Sequence, residues 1–341
     1  MRELVDELFA GEEAWIVGGG VRDELLGRPL VDLDVACRKP EEAARAYARR
    51  SGGAPFPLSE RHGAWRVALD GGRTVDFTPL RGGIEGDLAT RDFTINAIAV
   101  PVGGGEPVDP TGGREDLALR VLRAVREEIF ADDPLRLLRA VRLADELGFR
   151  LAPMTEELVR LHSELVTQPA GERILGELER LSPRGFVRLD ELGLLAPLGG
   201  SLERLEALER VDSPAYRLVV VFGDRLRRLP ISRELGRFAR ALLRSEPPPD
   251  ASRRAVHRFR RTTEPWALEA LAYLGASDLE DAVVEARGRD PAEPLVRGDE
   301  LGLPPGPEIG RILELIAEEQ AAGTIRTRQE ALDLAQRESG A

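Results

Sequence analysis

Cysteine is almost missing from this chain: Cys37 is the only one. No intramolecular disulfide can form, which excludes a disulfide-stapled secreted scaffold. Lysine is as scarce, because Lys39 stands alone among 48 basic residues and the rest are arginines. No apolar run approaches the roughly 18–20 residues that a membrane span needs. The opening stretch MRELVDELFAGEEA is polar and helix-like, with neither an apolar signal core nor a cleavage site. Together these absences point to a cytoplasmic protein. Histidine is confined to His62, His162 and His257, scattered without metal-ligand spacing. No internal repeat, low-complexity tail, or serine or cysteine nucleophile triad stands out.

What is present describes a globular chain of 341 residues, 42% hydrophobic and 32% charged, long enough for several compact units. The net charge of −12 argues against a uniformly basic surface for nucleic acid. The field that meets a phosphate backbone is local, however, so the placement of the arginines matters more than the sum. Over the first hundred residues short apolar runs alternate with turns. AWIVGGG, VDLDVAC, WRVAL and TVDFTPL read as strands, the last two separated by Asp70-Gly71-Gly72, while VRDELLG and EEAARAYARRSG read as helices. FTINAIAVPV is a further helix-or-strand segment. From about residue 115 the spacing is helical, through PLRLLRAVRLADEL, RILGELERL, FVRLDEL, SLERLEALERV, RELGRFARALL, EPWALEALAYL and PEIGRILELIAEEQ. SEPPPD (245–250) and RGRDPAEP (287–294) read as linkers. The expected architecture is an α/β head with a mixed sheet, followed by an all-helical remainder.

The densest chemistry lies at I-V-G-G-G-V-R-D-E-L-L-G-R-P-L-V-D-L-D-V, residues 16–35. Side chains two apart on a strand share a face, so VDLDV presents Asp32 and Asp34 together. Paired carboxylates repel unless a cation lies between them, and hard oxygen ligands suit Mg²⁺ completed by substrate phosphates. Gly18, Gly19 and Gly20 follow a strand and open a helix, a place where backbone amides cradle phosphate. Alone, a D-x-D on a strand is more often a solvated edge, and Gly-Gly after a strand is usually a turn. Their combination, with Arg22-Asp23 between them, reverses that reading.

This stretch resembles the class II tRNA nucleotidyltransferases and bacterial poly(A) polymerases, a branch of the polymerase-β-like superfamily. Their signature G-G-x-V-R-D-x-L-L-G running into D-x-D is matched from Gly19 to Gly27 and at Asp32 and Asp34. Their R-R-D-F-T-x-N-A block corresponds to Thr90 through Ala97, and their E-D-x-x-R to Asp132-Asp133-Pro134-Leu135-Arg136, with Arg139 and Arg142 following. Asp109-Pro110-Thr111-Gly112-Gly113 is similar to a D-P-x-G-G turn, Glu172-Arg173-Ile174 with Glu177-Leu178 to an E-R-I-x-x-E-L helix, and Pro305 to Gly310 to a tail segment.

The resemblance implies a nucleotidyltransferase head at 1–118, a helical neck carrying the base template at 119–190, a helical body at 191–285, and an RNA-binding helical tail at 286–341. It implies metal-dependent, template-independent extension of a tRNA 3′ end from CTP or ATP, with Mg²⁺ on Asp32 and Asp34. Asp76 is either a third acid beside them or an outward polar residue on its strand. Gly19, Gly20, Arg22, Asp23, Arg91, Asp92, Asn96, Arg139 and Arg142 correspond to nucleotide-binding positions. Asp133 and Arg136 correspond to the residues that select the base; by themselves they equally describe a salt bridge on one helix turn. Thr90 departs from the first arginine of its block, and Asp132 from a glutamate. Only 14 residues (77–90) separate Asp76 from Arg91. Members that add the terminal A carry a longer flexible loop there, so the short segment resembles the C-adding members. Complete CCA addition and poly(A) synthesis are the alternatives within the class, and a catalytically inactive RNA-binding protein is the alternative outside it. Nothing supports the histidine–aspartate phosphohydrolase domain of some relatives. For RNA contact two arginine clusters are candidates: Arg225, Arg227 and Arg228, and Arg253, Arg254, Arg258, Arg260 and Arg261. A solvated arginine-rich helix is the plain alternative for the second.

Overall fold

The computed structural model describes residues 1–59, 63–80, 82–290 and 293–339. His62 and two residues of the 287–294 linker lie outside the described residues. The chain divides into two compact units, Met1–Leu198 and Gly199–Ala341. That is a coarser division than the four segments expected from sequence, and its boundary falls within the expected body.

In the first unit, strands β1 (Ala14–Val17), β2 (Asp32–Cys37), β3 (Ala54–Ser59), β4 (Ala64–Ala68), β5 (Thr74–Pro79) and β6 (Ala99–Pro101) form one mixed sheet. Its order is β3-β4-β5-β2-β1-β6, with β2 and β5 parallel and the remaining neighbours antiparallel. One face is apolar: Leu33 and Val35 on β2, Val75 and Phe77 on β5 and Val67 on β4 are buried. Helices α1 (Arg2–Leu8) and α3 (Pro40–Ser51) cover that face, and Phe9 and Tyr47 pack on Phe77. Helix α3 has the composition its position demands, with proline in its first turn beside Glu41 and Glu42, Arg49 and Arg50 in its last, and left-handed Gly52 closing it. Burying one face leaves the alternate residues, Asp34, Asp76 and Arg66, in one row across the other.

APFPLS is a strand that the sequence reading passed over. Its prolines cannot donate to a ladder, and β3 tolerates them as the edge of the sheet. FTINAIAVPV resolves into a 3₁₀ turn at Thr94–Asn96 followed by β6. The rest of the unit is helical: α2 (Gly19–Leu25), α4 (Gly83–Ala89), α5 (Gly113–Leu119), α6 (Ile129–Asp132), α7 (Leu135–Leu147), α8 (Pro153–Leu161), α9 (Gly171–Leu178) and α10 (Pro183–Glu191). One parallel ladder, Val121–Leu122 with Arg150–Leu151, interrupts the expected all-helical neck.

The second unit contains helices α11 (Pro214–Phe222), α12 (Arg233–Leu243), α13 (Arg253–Thr263), α14 (Ala267–Leu274), α15 (Glu280–Gly288), α16 (Pro307–Ala322) and α17 (Arg328–Ser339). Ser213, Ser232 and Ser252 cap α11, α12 and α13 by accepting the amide three residues on. SLERLEALERV, expected as a helix, forms only a 3₁₀ turn at Leu205–Ala207. Arg204 and Arg210 donate to the Tyr273 and Ala272 carbonyls, 2.8 Å each, and these tertiary bonds hold the segment on an irregular path. Among the described residues no helix is long and apolar enough to cross a membrane.

Candidate active site

The site begins where β1 stops. Gly18 has φ 74° and ψ −145°, and a methyl group there would lie 2.7 Å from Asp34 Oδ2 and 3.0 Å from Arg91 Nη1. Only glycine permits that turn and that approach. Gly19 and Gly20 open α2, and Gly20 lies against the Asp32 carbonyl. The chain thus enters α2 in contact with the strand that carries both aspartates.

On β2, Asp34 is half-buried and Asp32 exposed, with Asp32 Oδ1 accepting from the Thr74 hydroxyl at 2.7 Å. Burial, reinforced by Asp76 and Asp32, pushes the Asp34 carboxyl up to about 6 although Arg91 opposes the rise. A carboxylate held in that state is one that a cation stabilises. Asp76, the candidate third acid, has each oxygen 2.7 Å from the Arg66 guanidinium on β4. Among the described residues no group of three or more histidine, cysteine, aspartate or glutamate side chains is arranged around a metal position. Two hard carboxylates completed by substrate oxygens fit a divalent cation of the kind the sequence expectation named.

The segment 90–97 lies against the same cleft as Asp34. Asp92 is buried; burial alone would raise its carboxyl, but Arg139, the Asn96 amide and the Phe93 amide hold it below the usual carboxylate range. Arg139 donates to Asp92 at 3.0 and 2.8 Å, Asn96 donates to Asp92 at 3.0 Å, and Arg22 donates to Asn96 at 2.8 Å while pairing with Asp23. Arg91 leans on Asp87 of α4 at 2.9 Å. The D-P-x-G-G turn supports this block from behind. Asp109 accepts the Gly113 and Arg114 amides at 2.7 and 2.9 Å, and a Cβ on Gly113 would fall 2.1 Å from the Thr94 carbonyl oxygen.

These elements line an open polar cleft of about 380 Å³ that takes in Gly18, Gly19, Asp34, Asp133 and Arg136. Arg173 from α9 also lines it and reaches Asp133 at 3.3 and 2.8 Å. Partial burial would raise the Asp133 carboxyl, and Arg173, the Leu135 amide and Arg136 bring it below its ordinary value. Arg136 itself donates to the Thr90 carbonyl at 3.0 Å. Of the residues named from sequence, Gly19, Asp34, Arg91, Asp92, Asn96, Asp133, Arg136 and Arg139 therefore line one cleft. Arg22, paired with Asp23, stands outside this lining and holds Asn96.

Arg142 does not join them. It is buried between α7 and α9, bonded to Glu177 at 2.5 Å and to Glu146 at 2.7 Å. Four of the five α13 arginines face carboxylates of their own unit: Arg254 meets Glu318 and Glu319, Arg258 meets Glu318, Arg261 meets Glu314, and Arg260 is buried against Glu264 and Asp290, whereas Arg253 is exposed and has no ion pair among the described residues. The sequence reading did not single out Arg66, Asp87 or Arg173 as site residues. The register of the β4–β5 hairpin was the one available indication for Arg66.

With the geometry in hand, comparison with known proteins is specific. A sequence model of the poly A polymerase head domain matches residues 14–83 and 71–123. The CC-adding tRNA nucleotidyltransferase of Thermus thermophilus is 36% identical over 95% of this chain and 93% of its own. The A-adding tRNA nucleotidyltransferase of Deinococcus radiodurans is 35% identical over 95% of each chain. The crystal structure of the Bacillus stearothermophilus CCA-adding enzyme in complex with CTP superposes with a TM-score of 0.79 at 26% identity, covering 99% of this chain and 97% of that one. Similarity of this degree along both full chains, joined to the cleft just described, has one consequence: the chain belongs to the family of template-independent tRNA nucleotidyltransferases.

Proposed function

We propose that the protein adds cytidylate residues from CTP to the 3′ end of tRNA in the cytoplasm, releasing pyrophosphate, and stops after two. The observation that carries the cytidine preference is the segment from Phe77 to Thr90. Strand β5 runs to Pro79, α4 occupies Gly83–Ala89, and Asp87 of that helix is tied to Arg91. A segment held this way at the edge of the cleft supports a fixed site for one class of base.

In this reading Asp32 and Asp34 hold Mg²⁺. Two such ions bound there would supply a lowered pKa at the RNA 3′-hydroxyl and neutralise charge on the departing pyrophosphate. The chain's own groups bind and orient. Arg91, beside Asp34, and Arg139, anchored on Asp92, present guanidinium groups to the triphosphate. Asn96, fixed between Arg22 and Asp92, faces the ribose, where a 2′-hydroxyl contact tells RNA precursors from DNA precursors. Asp133 is kept ionised by Arg173 and so is an acceptor only, suited to the N4 amino group of cytosine. Arg136 donates to the ring acceptors N3 and O2 once it leaves the Thr90 carbonyl.

The nearly equal identity of an A-adding relative makes ATP the nucleotide to test against CTP. Purified protein is to be incubated with tRNA ending before CCA, and separately with tRNA ending in CC, with one nucleotide at a time. Incorporation of two cytidylates on the first substrate and nothing on the second is the expected result. Efficient ATP incorporation onto the CC end would sink the cytidine reading, and ATP-only tailing of unrelated RNA would make the protein a poly(A) polymerase. Asp32→Ala is expected to abolish incorporation while tRNA binding stays near its starting value. Loss of both together would place Asp32 in the RNA-binding surface instead.

A further inference from the structure

Arginines are common on this molecule, but most of those on helices have a carboxylate of the same chain within reach. The α13 face is the clearest case, since Arg254, Arg258 and Arg261 all meet glutamates of α16. Helix α12 is different. Arg233, Arg237, Arg240 and Arg244 are all exposed, and among the described residues none has a carboxylate at ion-pair distance. Their spacing of four, three and four residues places them within about 60° of one another around a helix of 3.6 residues per turn. Leu235, Phe238, Ala239 and Leu242, on the opposite side, are buried. The arginines therefore point straight away from the core as one row, rising about 16 Å along the axis.

Like charges three and four apart destabilise a helix. Among the described residues no ion pair offsets the repulsion here, and Glu234 is the single acid on the helix. The turn that precedes the helix adds to it: Arg225, Arg227 and Arg228 are exposed, and among the described residues only Arg227 has an acid, Asp224. A recess of about 290 Å³ separates this turn from α12, with Arg227, Arg240 and Arg244 on its walls. Between residues 224 and 244 there are seven arginines and two acids, on a chain whose net charge is −12. A local positive field on an acidic protein attracts a polyanion and repels it elsewhere, which fixes where it lands.

We propose that the arginine row of α12, with the turn before it, is the surface on which the sugar-phosphate backbone of the RNA substrate docks. This rests on the reading of tRNA as substrate. A row of this length spans several phosphates, which lie about 3.4 Å apart along one strand of a duplex. Arg254, Arg258 and Arg261 of α13 are a structural seam against α16, and they keep their glutamate partners when RNA binds.

The test is the salt dependence of binding to tRNA that lacks its CCA end, followed by fluorescence anisotropy. Each phosphate contact contributes about 0.7–0.9 to the slope of log K against log salt. Replacing Arg237, Arg240 and Arg244 together by glutamine is expected to lower that slope by roughly 2 to 3 and to weaken binding at least about tenfold at moderate salt. The triple lysine variant, which keeps the charge, is expected to keep the slope and serves as the check that the helix is intact. The α12 glutamine variant should also melt no lower than the wild type, because it relieves repulsion. Arg254→Gln/Arg258→Gln/Arg261→Gln is expected to melt lower and to keep the wild-type slope. An unchanged slope in the α12 glutamine variant overturns the proposal, as does a slope lost only in the α13 variant. Nucleotide incorporation by the same wild-type preparation separates the two readings. Incorporation with an unmoved slope defeats the docking surface alone, whereas α12-dependent binding with no incorporation defeats the enzymatic reading alone.

Discussion

A methyl group at Gly18 would sit 2.7 Å from Asp34 Oδ2, on a backbone with φ 74°. Gly18→Ala therefore strains the turn and displaces the carboxylate at once. Misplacing a reacting group by about an ångström can cost about 100-fold in rate, so kcat/KM for nucleotide incorporation is expected to fall at least that far. A thermal melt should move only slightly, and a variant with wild-type kcat/KM would show that the approach is not required. Asp34 supports a second expectation with the opposite sign for stability. Its carboxyl is raised to about 6 by burial and neighbouring acids. The folded state thus holds this proton more tightly than the unfolded state, and the ionised group is a liability above that pH. In chelator, Asp34→Asn should raise the melting temperature at pH 7.5 and abolish incorporation. The gain should shrink as the pH falls below about 6 and vanish only near 3.8, where Asp34 is protonated in the folded and unfolded chain alike, and a gain independent of pH would rule out this cause. That Asp32 and Asp34 fall at alternate positions of one strand was legible from the strand period alone. The position of Arg142 was not, because an arginine between Val141 and Leu143 reads as outward until Glu177 arrives from another helix.

Elements met one another in ways the sequence only partly disclosed. The Asp70-Gly71-Gly72 turn announced a hairpin, and counting outward from Gly71 in both directions pairs residue 66 with residue 76, as observed. Arg66 was therefore readable as the partner of Asp76 by register. Strand β3 was not readable, since two prolines argue against a strand unless it is already known to be an edge. The packing of α9 on α7 depends on a polar chain rather than on register. Arg139 bridges Asp92 and Glu177, while Arg142 meets Glu177 and Glu146, and Arg180 reaches Glu146 as well. Glu177→Ala leaves the Arg142 guanidinium buried without its closest partner, a loss expected to cost about 3–5 kcal/mol in urea unfolding. Arg142→Met/Glu177→Leu replaces the buried pair by apolar groups and should recover most of that stability. If the double variant is as unstable as the single one, the interaction is not a buried ion pair in the energetic sense. Because Glu177 also contacts Arg139, the single variant should raise KM for the nucleotide too.

At the scale of the whole molecule the difficulty of reading function from sequence was one of pairing across distance. Nothing near SRRAVHRFRR announces that its arginines will meet glutamates of α16 about sixty residues later, and so the run resembled a basic face for RNA. The same long-range pairing sets how the protein responds to acid. Asp92, Asp133, Glu156, Glu264, Asp290 and Glu318 are all held below their ordinary values, the buried ones against the effect of burial, by arginine partners and hydrogen bonds. A depressed carboxylate contributes stability that is complete above its unfolded value near 4 and disappears as the pH falls through its folded value. Asp34 contributes in the opposite direction between about 6 and its ordinary value of 3.8. The melting temperature should accordingly hold level or rise a little from pH 7 to pH 5, then fall steeply below about pH 4. The exposed pairs of α13 with α16 are screened by salt, whereas the pair of Asp92 with Arg139 is shielded from it. Half-molar salt should therefore flatten only part of the acid loss, and the part that persists should shrink in Asp92→Asn. Melting curves at pH 7, 5 and 3.5, with and without salt, check each arm. A midpoint that keeps climbing below pH 4 would mean that the arginine–carboxylate pairs do not contribute to the native state, and with them the separation of a paired α13 from an unpaired α12 would lose its energetic basis.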